Sequence, residues 1–438
     1  MQTLHSPADL SAASPAASPA DLLATAIVTA PASRSRRTLM QAAGSSAVLS
    51  GFPAIVRAQS GKLKVGVILP RSGVQGQIGQ SCQLGADIAP ALIKDMLGVD
   101  IELMNADWET NVDVARTRAE RLIQEGAHVL VGPFDSGAAS AIAQVAEQKG
   151  VPFVINIAAA PPITEQGYKF VFRNFPTAID LTVNGLALIG DLFRATNVAP
   201  RTAVFMHVND TFGQAMNRGI GATLPRLTQL PFKIVETISY DPAAKDLSVE
   251  VSKAKATKAD FLLLVCRLND AIILRREIVK QRWNIMGVIS PGSPGIYEAQ
   301  YHKALGKLAD GAISNNPWYN PKTNMTAAVI KQMAKQFPNE KLYHHGANIS
   351  YTFESILIAA DAFKRARSTN PKELADAIRQ TNLTDRVSLG GPIKFNAKGQ
   401  VEGNLSACLL NKDGRSQVVL PANAAETNAV FPWPDYKA

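Results

Sequence analysis

The amino-acid sequence predicts an α/β protein with two similar lobes, each built on a mainly parallel β-sheet. Short apolar runs rich in β-branched residues alternate with helical segments from residue 62 onwards, and the alternation restarts after a helix that begins near Asp180. Strands that are apolar throughout are typical of parallel sheets covered by helices on both faces. The 438 residues are 46% hydrophobic and 18% charged, which excludes a disordered chain and suffices for two cores.

The first unit begins with a buried strand and continues as alternating helices and strands. Its strands are predicted at residues 62–69, 99–104, 128–131 and 151–155, and its helices at 78–96, 111–124 and 138–148. Turn residues follow the first strand, from Pro70 to Gly73, and the third, at Gly132-Pro133. Right-handed crossovers through the helices would make these strands parallel.

The second unit repeats this pattern, and a helical tail follows it. After a helix at 180–194, strands are predicted at 202–207, 232–239, 261–265 and 285–289, with helices at 213–227, 247–256 and 270–281. The remainder holds a strand at 312–315, helices at 326–337, 347–367 and 371–380, and a hairpin-like piece at 393–395 and 405–411. The helices of this tail are amphipathic, and we expect them to cover the first sheet.

Residues 1–58 are predicted to be a twin-arginine-type signal segment. Arg36 and Arg37 precede a mildly apolar stretch at 42–56, and a loose small-residue cleavage pattern ends at Ala58. We therefore expect an exported, periplasmic protein whose mature chain begins at Gln59; the alternative is a disordered basic tail. No stretch of eighteen apolar residues follows residue 60, so the body of the protein is not predicted to span a membrane.

Composition and motifs exclude several functional classes. Cys82, Cys266 and Cys408 are an odd number without a CxxC pair, which excludes a disulfide framework and a cysteine zinc site. The net charge is +9, but the basic residues are scattered among acidic ones. Nucleic-acid surfaces need clustered cations, so a nucleic-acid-binding protein is not expected. Dinucleotide, phosphate-loop, serine-hydrolase and zinc-protease motifs are missing from the sequence. The adjacent His344 and His345 would point in different directions on a helix, so we do not expect them to share a metal ion. We expect no enzyme activity, no metal and no cofactor.

Seven short motifs in order carry a resemblance to a known family. They lie at 64–73 (KVGVILPRSG), 132–137 (GPFDSG), 151–153 (VPF) with 161–164 (PPIT), 170–173 (FVFR), 210–213 (DTFG), 259–261 (ADF) and 309–311 (ADG). From about residue 63 to 410 the chain resembles the periplasmic solute-binding proteins of ABC importers, of the branched-chain amino acid type. The resemblance implies the type I periplasmic binding fold, with two Rossmann-like lobes joined by a three-segment hinge.

The resemblance also implies domain boundaries and partners. Lobe 1 would contain residues 62–178 and 312–388, and lobe 2 residues 179–311 and 389–432. A ligand would bind in the cleft, the lobes would close on it, and the closed monomer would dock on the membrane permease of an ABC importer.

Ser136 and Asp135 are the first candidate ligand-binding residues. They lie between a strand and a helix, where free backbone N–H groups and the Ser136 hydroxyl could bind a carboxylate. The alternative is that Ser136 is only the helix N-cap. Asp135 could bind a ligand hydroxyl or merely favour the helix N-terminus.

The next loop departs from the family pattern. Ile157, Ala158 and Ala159 match a Ser-Ala-Thr segment that holds the amino acid in the family, and both hydroxyls are missing here. The family's acidic residue that faces the α-amine is replaced by the loop 290–293. Because a buried ammonium without an acceptor is costly, a free α-amino acid is disfavoured.

The remaining candidates would form the apolar and cationic walls of the cleft. Phe212 and Arg267 follow strands of the second unit, and Arg267 could pair with a carboxylate or instead with Asp270 or solvent. Ile78, Trp108 and Trp318 could form apolar walls, although each residue type is more often part of a core. We therefore expect an aromatic or branched aliphatic carboxylate as ligand; the alternatives are a ligand-sensing receptor domain and an unrecognised α/β enzyme.

Overall fold

The computed structural model of the chain describes residues 61–434, 436 and 437. The predicted signal segment therefore lies outside the described residues. Among the described residues, the helices are all too short or too polar to cross a membrane. Cys82, Cys266 and Cys408 are buried and free.

The first lobe contains a five-stranded, fully parallel sheet. Its strands are β1 (Leu63–Leu69), β2 (Ile101–Asp107), β3 (Val129–Val131), β4 (Phe153–Ile155) and β5 (Val171–Arg173), in the order β2-β1-β3-β4-β5. Helices α1 (Gly76–Leu97), α2 (Val112–Gln124) and α3 (Ser136–Lys149) connect the first four strands. The strand β5, which the sequence pattern did not predict, extends the sheet beyond β4.

The second lobe contains a seven-stranded mixed sheet. Its elements are α4 (Ala178–Thr196), β6 (Thr202–Val208), α5 (Thr211–Thr223), β7 (Lys233–Tyr240), α6 (Ser248–Ala256), β8 (Phe261–Val265), α7 (Leu268–Lys280), β9 (Val288–Ser290), α8 (Ala299–Leu305), β10 (Ile313–Pro317), β11 (Ser406–Lys412) and β12 (Arg415–Leu420). The strand order is β12-β11-β10-β9-β8-β6-β7. The pairs β10–β11 and β11–β12 are antiparallel, and the others are parallel.

Three helices of the chain's last third return to the first lobe. They are α9 (Asn324–Gln336), α10 (Gly346–Ala366) and α11 (Pro371–Arg379). Nearly every residue of α10 is buried, because this helix packs on α1 and on strands of the first sheet. The chain thus passes between the lobes three times, at residues 174–177, 318–323 and 380–405.

Two details of the last third differ from the sequence-based expectation. Residues 312–388 were expected to belong to lobe 1. The first strand of this range, β10, instead pairs with β9 and β11 of the second sheet. The expected hairpin between 393–395 and 405–411 is wrong: β11 pairs with β12, while Ile393 forms an isolated bridge with Leu383. Local sequence patterns define a strand but not its partner, which explains both differences.

The helix that starts the second lobe has a strong local start signal. The Thr177 hydroxyl accepts a hydrogen bond from the Asp180 backbone N–H at 3.1 Å, and the Asp180 carboxylate accepts one from the Thr177 backbone N–H at 3.0 Å. This reciprocal capping box fixes the beginning of α4 immediately after the first crossing. The restart of the α/β pattern near Asp180 therefore coincides with the entry into the second lobe.

Candidate ligand-binding cleft

A small cavity lies between the two lobes. The first-lobe part of its wall follows strand ends and comprises Ile78, Phe134, Ile157, Ala159 and, at the first crossing, Phe175. The second-lobe part also follows strand ends and comprises Phe212, Arg267, Gly292, Pro294, Tyr297 and Asn316, while Asn348 enters from α10. Ligands of open α/β sheets bind at this edge, where loops and helix N-termini converge.

Half of the residues expected from the sequence lie on this wall. They are Ile78, Ile157, Ala159, Phe212 and Arg267. Asp135 lies beside them, in contact with Arg267. These residues therefore line one cavity, and their contact with a ligand stays a prediction.

Four expected residues are buried and are not part of the wall: Ser136, Ala158, Trp108 and Trp318. Ser136 is fully buried, and its hydroxyl accepts a hydrogen bond from the Ala160 backbone N–H at 3.2 Å. The suggested alternative, that Ser136 caps its helix, is wrong because the Asp135 side chain accepts from the Ala138 N–H and caps α3 instead. Ala158 lies between Ile157 and Ala159 in the same loop, but its side chain is fully buried and is not part of the wall.

The two tryptophans are core residues rather than wall residues. Trp108 is 1% exposed, and its backbone N–H donates to the Leu69 carbonyl, which anchors it at the end of β1. Trp318 is fully buried beside Gly346, where an added Cβ would lie only 2.2 Å from the indole ring. It reaches the cavity only indirectly, by packing edge-to-face on Tyr297 with ring centres 5.0 Å apart.

Arg267 links the two lobes through two aspartates. Its Nε and Nη2 donate to the Asp210 carboxylate at 3.0 and 2.8 Å, and Nη2 also approaches Asp135 of the first lobe at 3.5 Å. The guanidinium carbon lies 4.7 Å from the ring centre of Phe212 and 5.7 Å from that of Phe134. The expected alternative of a surface arginine is wrong, because the residue is 7% exposed and Asp270 bonds its backbone N–H, not its guanidinium.

The charges around Arg267 are balanced by helix ends. Burial lowers the pKa of Arg267, but the carboxylates of Asp210 and Asp135 outweigh burial, and the pKa rises above its usual value. Asp135 and Asp210 cap α3 and α5, and Arg267 is the N-cap residue of α7. Three helix N-termini, each with a partial positive charge, therefore converge where the two carboxylates meet one guanidinium. The helix ends offset part of the excess negative charge of the two carboxylates.

The loop after β4 presents backbone donors to the cavity. Within the described part of the chain, the backbone N–H groups of Ile157 and Ala159 make no hydrogen bond. Arg173 accounts for the orientation of the Ala159 N–H: its Nη1 donates to the carbonyls of Ala158 and Ala160 at 3.3 and 2.7 Å. In a trans peptide the carbonyl and the following N–H point in opposite directions, so the Ala159 N–H faces away from Arg173.

Arg173 is itself held in one position. It is fully buried, and it also donates to Gln400 at 2.6 Å and Thr164 at 2.7 Å. Burial lowers the pKa of its guanidinium to about 9. Each of these bonds restricts the loop that carries Ile157 and Ala159.

A buried carboxyl group lies directly behind the wall. Glu298 accepts hydrogen bonds from Ser81 of α1 at 3.2 Å and from Asn348 of α10. Burial raises the pKa of Glu298 to about 8, although the hydrogen bonds from Asn348 and Ser81 oppose the rise. Because Glu298 belongs to the second lobe and both partners to the first, this contact also joins the lobes.

Several wall residues were missed by the sequence analysis. Phe134 lies within the quoted motif at 132–137, and Phe175 follows the motif at 170–173, so both had a local signal. Asn316 lies on β10, next to the strand predicted at 312–315, and Tyr297 lies in the loop after β9. Asn348 had no signal, because the pattern of α10 is that of a helix covering a sheet.

Comparisons with known proteins agree with this architecture. The family described as periplasmic binding protein matches residues 62–415. The Leu/Ile/Val-binding protein homolog 8 of Brucella abortus is 23% identical over 390 residues, which cover 83% of this chain and 91% of that protein.

Two solved structures share the fold. The leucine-binding protein of Thermotoga maritima has a TM-score of 0.70 at 19% identity, covering 81% of this chain and 97% of its own. The solute-binding protein of an ABC transporter from R. palustris, solved with benzoate, has a TM-score of 0.70 at 20% identity, covering 84% and 98%. The two-lobed α/β fold expected from the sequence is confirmed.

Proposed function

The chain belongs to the periplasmic binding protein family, and from that membership we propose that it captures a small organic carboxylate for an ABC importer. The ligand binds in the cavity between the lobes, which close around it, and the closed form docks on the membrane permease. Binding and closure constitute the whole mechanism. The relative solved with benzoate and the relative that binds leucine represent the two ligand classes that have to be distinguished.

One observation carries the choice of a carboxylate. The cavity wall combines unpartnered backbone N–H groups at Ile157 and Ala159 with the guanidinium of Arg267, which is paired with Asp210 and Asp135. Carboxylate oxygens accept hydrogen bonds from such donors, and charge-assisted bonds of this kind are strong. The nearby acids are already engaged, because Asp135 and Asp210 each cap a helix and contact Arg267. An α-ammonium group would have to compete for them.

The remaining wall favours an apolar body. Ile78, Phe134, Phe175, Phe212 and Pro294 surround the space beside these donors. Aromatic walls favour flat or branched apolar groups, which stack or pack against them. The space between these side chains is small, which restricts the ligand to a small molecule. An aromatic or branched aliphatic acid meets both conditions.

A thermal-shift experiment tests this proposal. Benzoate, 3-methyl-2-oxobutanoate and leucine are added separately to the purified protein, and the unfolding temperature is recorded. A ligand at 100 times its dissociation constant stabilises the protein by about 2.7 kcal/mol. We expect the acids to raise the unfolding temperature more than leucine does. A response to leucine alone would mean that the cleft supplies an ammonium acceptor and is an amino acid site.

Export and domain division are part of the same proposal. Residues 1–58 would direct the folded protein to the periplasm by the twin-arginine route. The units that close would be lobes 62–178 plus 312–388 and 179–311 plus 389–432, except that β10 (Ile313–Pro317) would move with the second lobe, to whose sheet it belongs. Replacing Arg36 and Arg37 by Lys, followed by cell fractionation, tests the route. We expect the mature form to disappear from the periplasm; its continued appearance there would contradict twin-arginine export.

A further inference from the structure

Asn316 places an amide group in an otherwise largely apolar part of the cavity wall. The residue is 3% exposed, and among the described residues its Nδ2 has no hydrogen-bond partner. Buried amide groups almost always have a partner, and a missing one is destabilising. An amide kept in this position therefore points to a partner that comes from outside the chain.

The backbone holds Asn316 in place. It lies on β10 and pairs with Ala407 of β11, in the interior of the second sheet. The neighbouring Asn315 uses its amide differently, because its Nδ2 donates to the Gly185 carbonyl of α4 at 2.9 Å. Successive side chains of a strand point to opposite faces. Asn316 therefore faces away from α4.

Two polar side chains of the same wall, Tyr297 and Asn348, are already paired. The Tyr297 hydroxyl donates to the Asn348 side-chain oxygen at 3.5 Å, and the Asn348 amide donates to Glu298. The side chain of Asn316 thus differs from these neighbours in having a donor still to satisfy.

We propose that the Asn316 amide donates a hydrogen bond to a second oxygen of the ligand, separate from its carboxylate. The cleft would then select carboxylates that also bear a carbonyl or hydroxyl group. The inference rests on the proposed function, since it adds a second polar feature to the same ligand. A site built around a buried donor rejects an analogue without the acceptor far more strongly than an apolar wall rejects a smaller molecule.

The first test measures stability without any ligand. Asn316→Leu removes the unpartnered amide at similar volume, and Asn315→Leu is the matched control, because it breaks a formed hydrogen bond on the same strand. We expect Asn316→Leu to raise the unfolding temperature by about 1–3 °C and Asn315→Leu to lower it. If Asn316→Leu lowers it as Asn315→Leu does, the amide already has a partner, and the inference is overturned.

The second test measures selectivity by calorimetry with two pairs of acids. Benzoate is compared with 4-hydroxybenzoate, and 3-methylbutanoate with 3-methyl-2-oxobutanoate. We expect wild type to prefer the oxygen-bearing member of at least one pair, and Asn316→Leu to reduce that preference about tenfold. An unchanged preference in the variant, or no preference in wild type, would overturn the inference.

The two tests separate this inference from the proposed function. If no carboxylate binds wild type, the proposed function fails, while the stability comparison still decides whether the Asn316 amide lacks a partner. If acids bind without regard to the extra oxygen, the proposed function stands and the role of Asn316 is rejected.

Discussion

Arg267 connects the two lobes through charged side chains. Its guanidinium bonds one aspartate of its own lobe and approaches one of the other, while two aromatic rings cover its faces. An ion pair this deeply buried adds little net stability, but removing one partner leaves uncompensated charge. In Asp135 and Asp210, one carboxylate oxygen accepts the helix-capping hydrogen bond and the other faces Arg267.

Replacement of Arg267 should therefore be strongly destabilising. Arg267→Met keeps much of the side-chain volume but leaves both carboxylates without their cation, and we expect a loss of about 3 kcal/mol in the free energy of unfolding. Arg194→Met is the control, since Arg194 pairs with Asp191 on the surface and such pairs contribute less than about 1 kcal/mol. Urea unfolding measures both. Equal losses would show that the buried bridge has no special role.

At the scale of elements, the contact between α1 and α10 holds the first lobe together. An added Cβ on Gly85 of α1 would lie 2.5 Å from the Ile349 carbonyl oxygen and 2.9 Å from its Cα. These are backbone atoms, which cannot move aside as a flexible side chain could. The glycine therefore sets the distance between the two helices.

Two glycine-to-alanine changes should have opposite effects. Gly85→Ala forces α1 and α10 apart, and we expect a loss of about 1–3 kcal/mol. Gly221→Ala is the matched control in α5, where an added Cβ meets nothing within 4 Å; it should gain about 0.5–1 kcal/mol, because alanine favours the helix. Thermal or urea unfolding tests both. A neutral Gly85→Ala would mean that the helices can separate freely.

Glu298 joins elements of both lobes, and its stability contribution should depend on pH. The groups around it are Ser81 and Cys82 on α1, Tyr297 on its own segment, and Asn348 and His345 on α10, with Ser81 in contact with His345 at 2.9 Å. Burial raises the pKa of Glu298 to about 8 and lowers the pKa of His345. In this surrounding the protonated carboxyl is the favoured form.

The sign of the effect follows from the raised pKa. The folded protein binds the Glu298 proton more tightly than the unfolded chain does. The contribution of this carboxyl group to the free energy of unfolding is therefore fully present below pH 4.5 and is lost as pH rises towards 8. Compared with Glu298→Gln, wild type should lose up to about 1.4 kcal/mol per pH unit in this window. Urea unfolding between pH 5 and 8 measures the difference, with exposed Glu402→Gln as control. A difference that does not change with pH would contradict the raised pKa.

The elements themselves were largely predictable, whereas their pairing was not. Continuous apolar runs such as Leu63–Leu69 specify buried strands, because parallel sheets bury both faces. The three-residue strand β5 is too short for a periodicity, and nothing local assigns β10 to the second sheet. The same limit applies to the site: Ile157 and Arg267 follow strand ends and could be placed, but Asn348 lies in a helix whose pattern indicates only packing.

At the scale of the whole molecule, three segments connect the lobes, and we expect the lobes to move as units about them. Three of the contacts that join the lobes across the cleft are polar: Arg267 with Asp135, Asn269 with the Val74 carbonyl at 2.8 Å, and Glu298 with Ser81. Polar contacts can be exchanged for water when the lobes separate, at a smaller cost than apolar ones. A ligand in the cavity adds contacts to both lobes, so binding should shift the population towards the closed form.

Small-angle scattering can measure this shift. We expect benzoate or 3-methyl-2-oxobutanoate at saturation to decrease the radius of gyration of wild type, because only the closed form contacts the ligand from both lobes. Arg267→Met should have a larger radius than wild type without ligand, since the bridge to Asp135 is lost, and should compact less when the acid is added. Arg194→Met should behave as wild type. An unchanged radius in wild type, with binding verified by calorimetry in the same sample, would mean that the ligand enters a cleft already closed by the polar contacts alone.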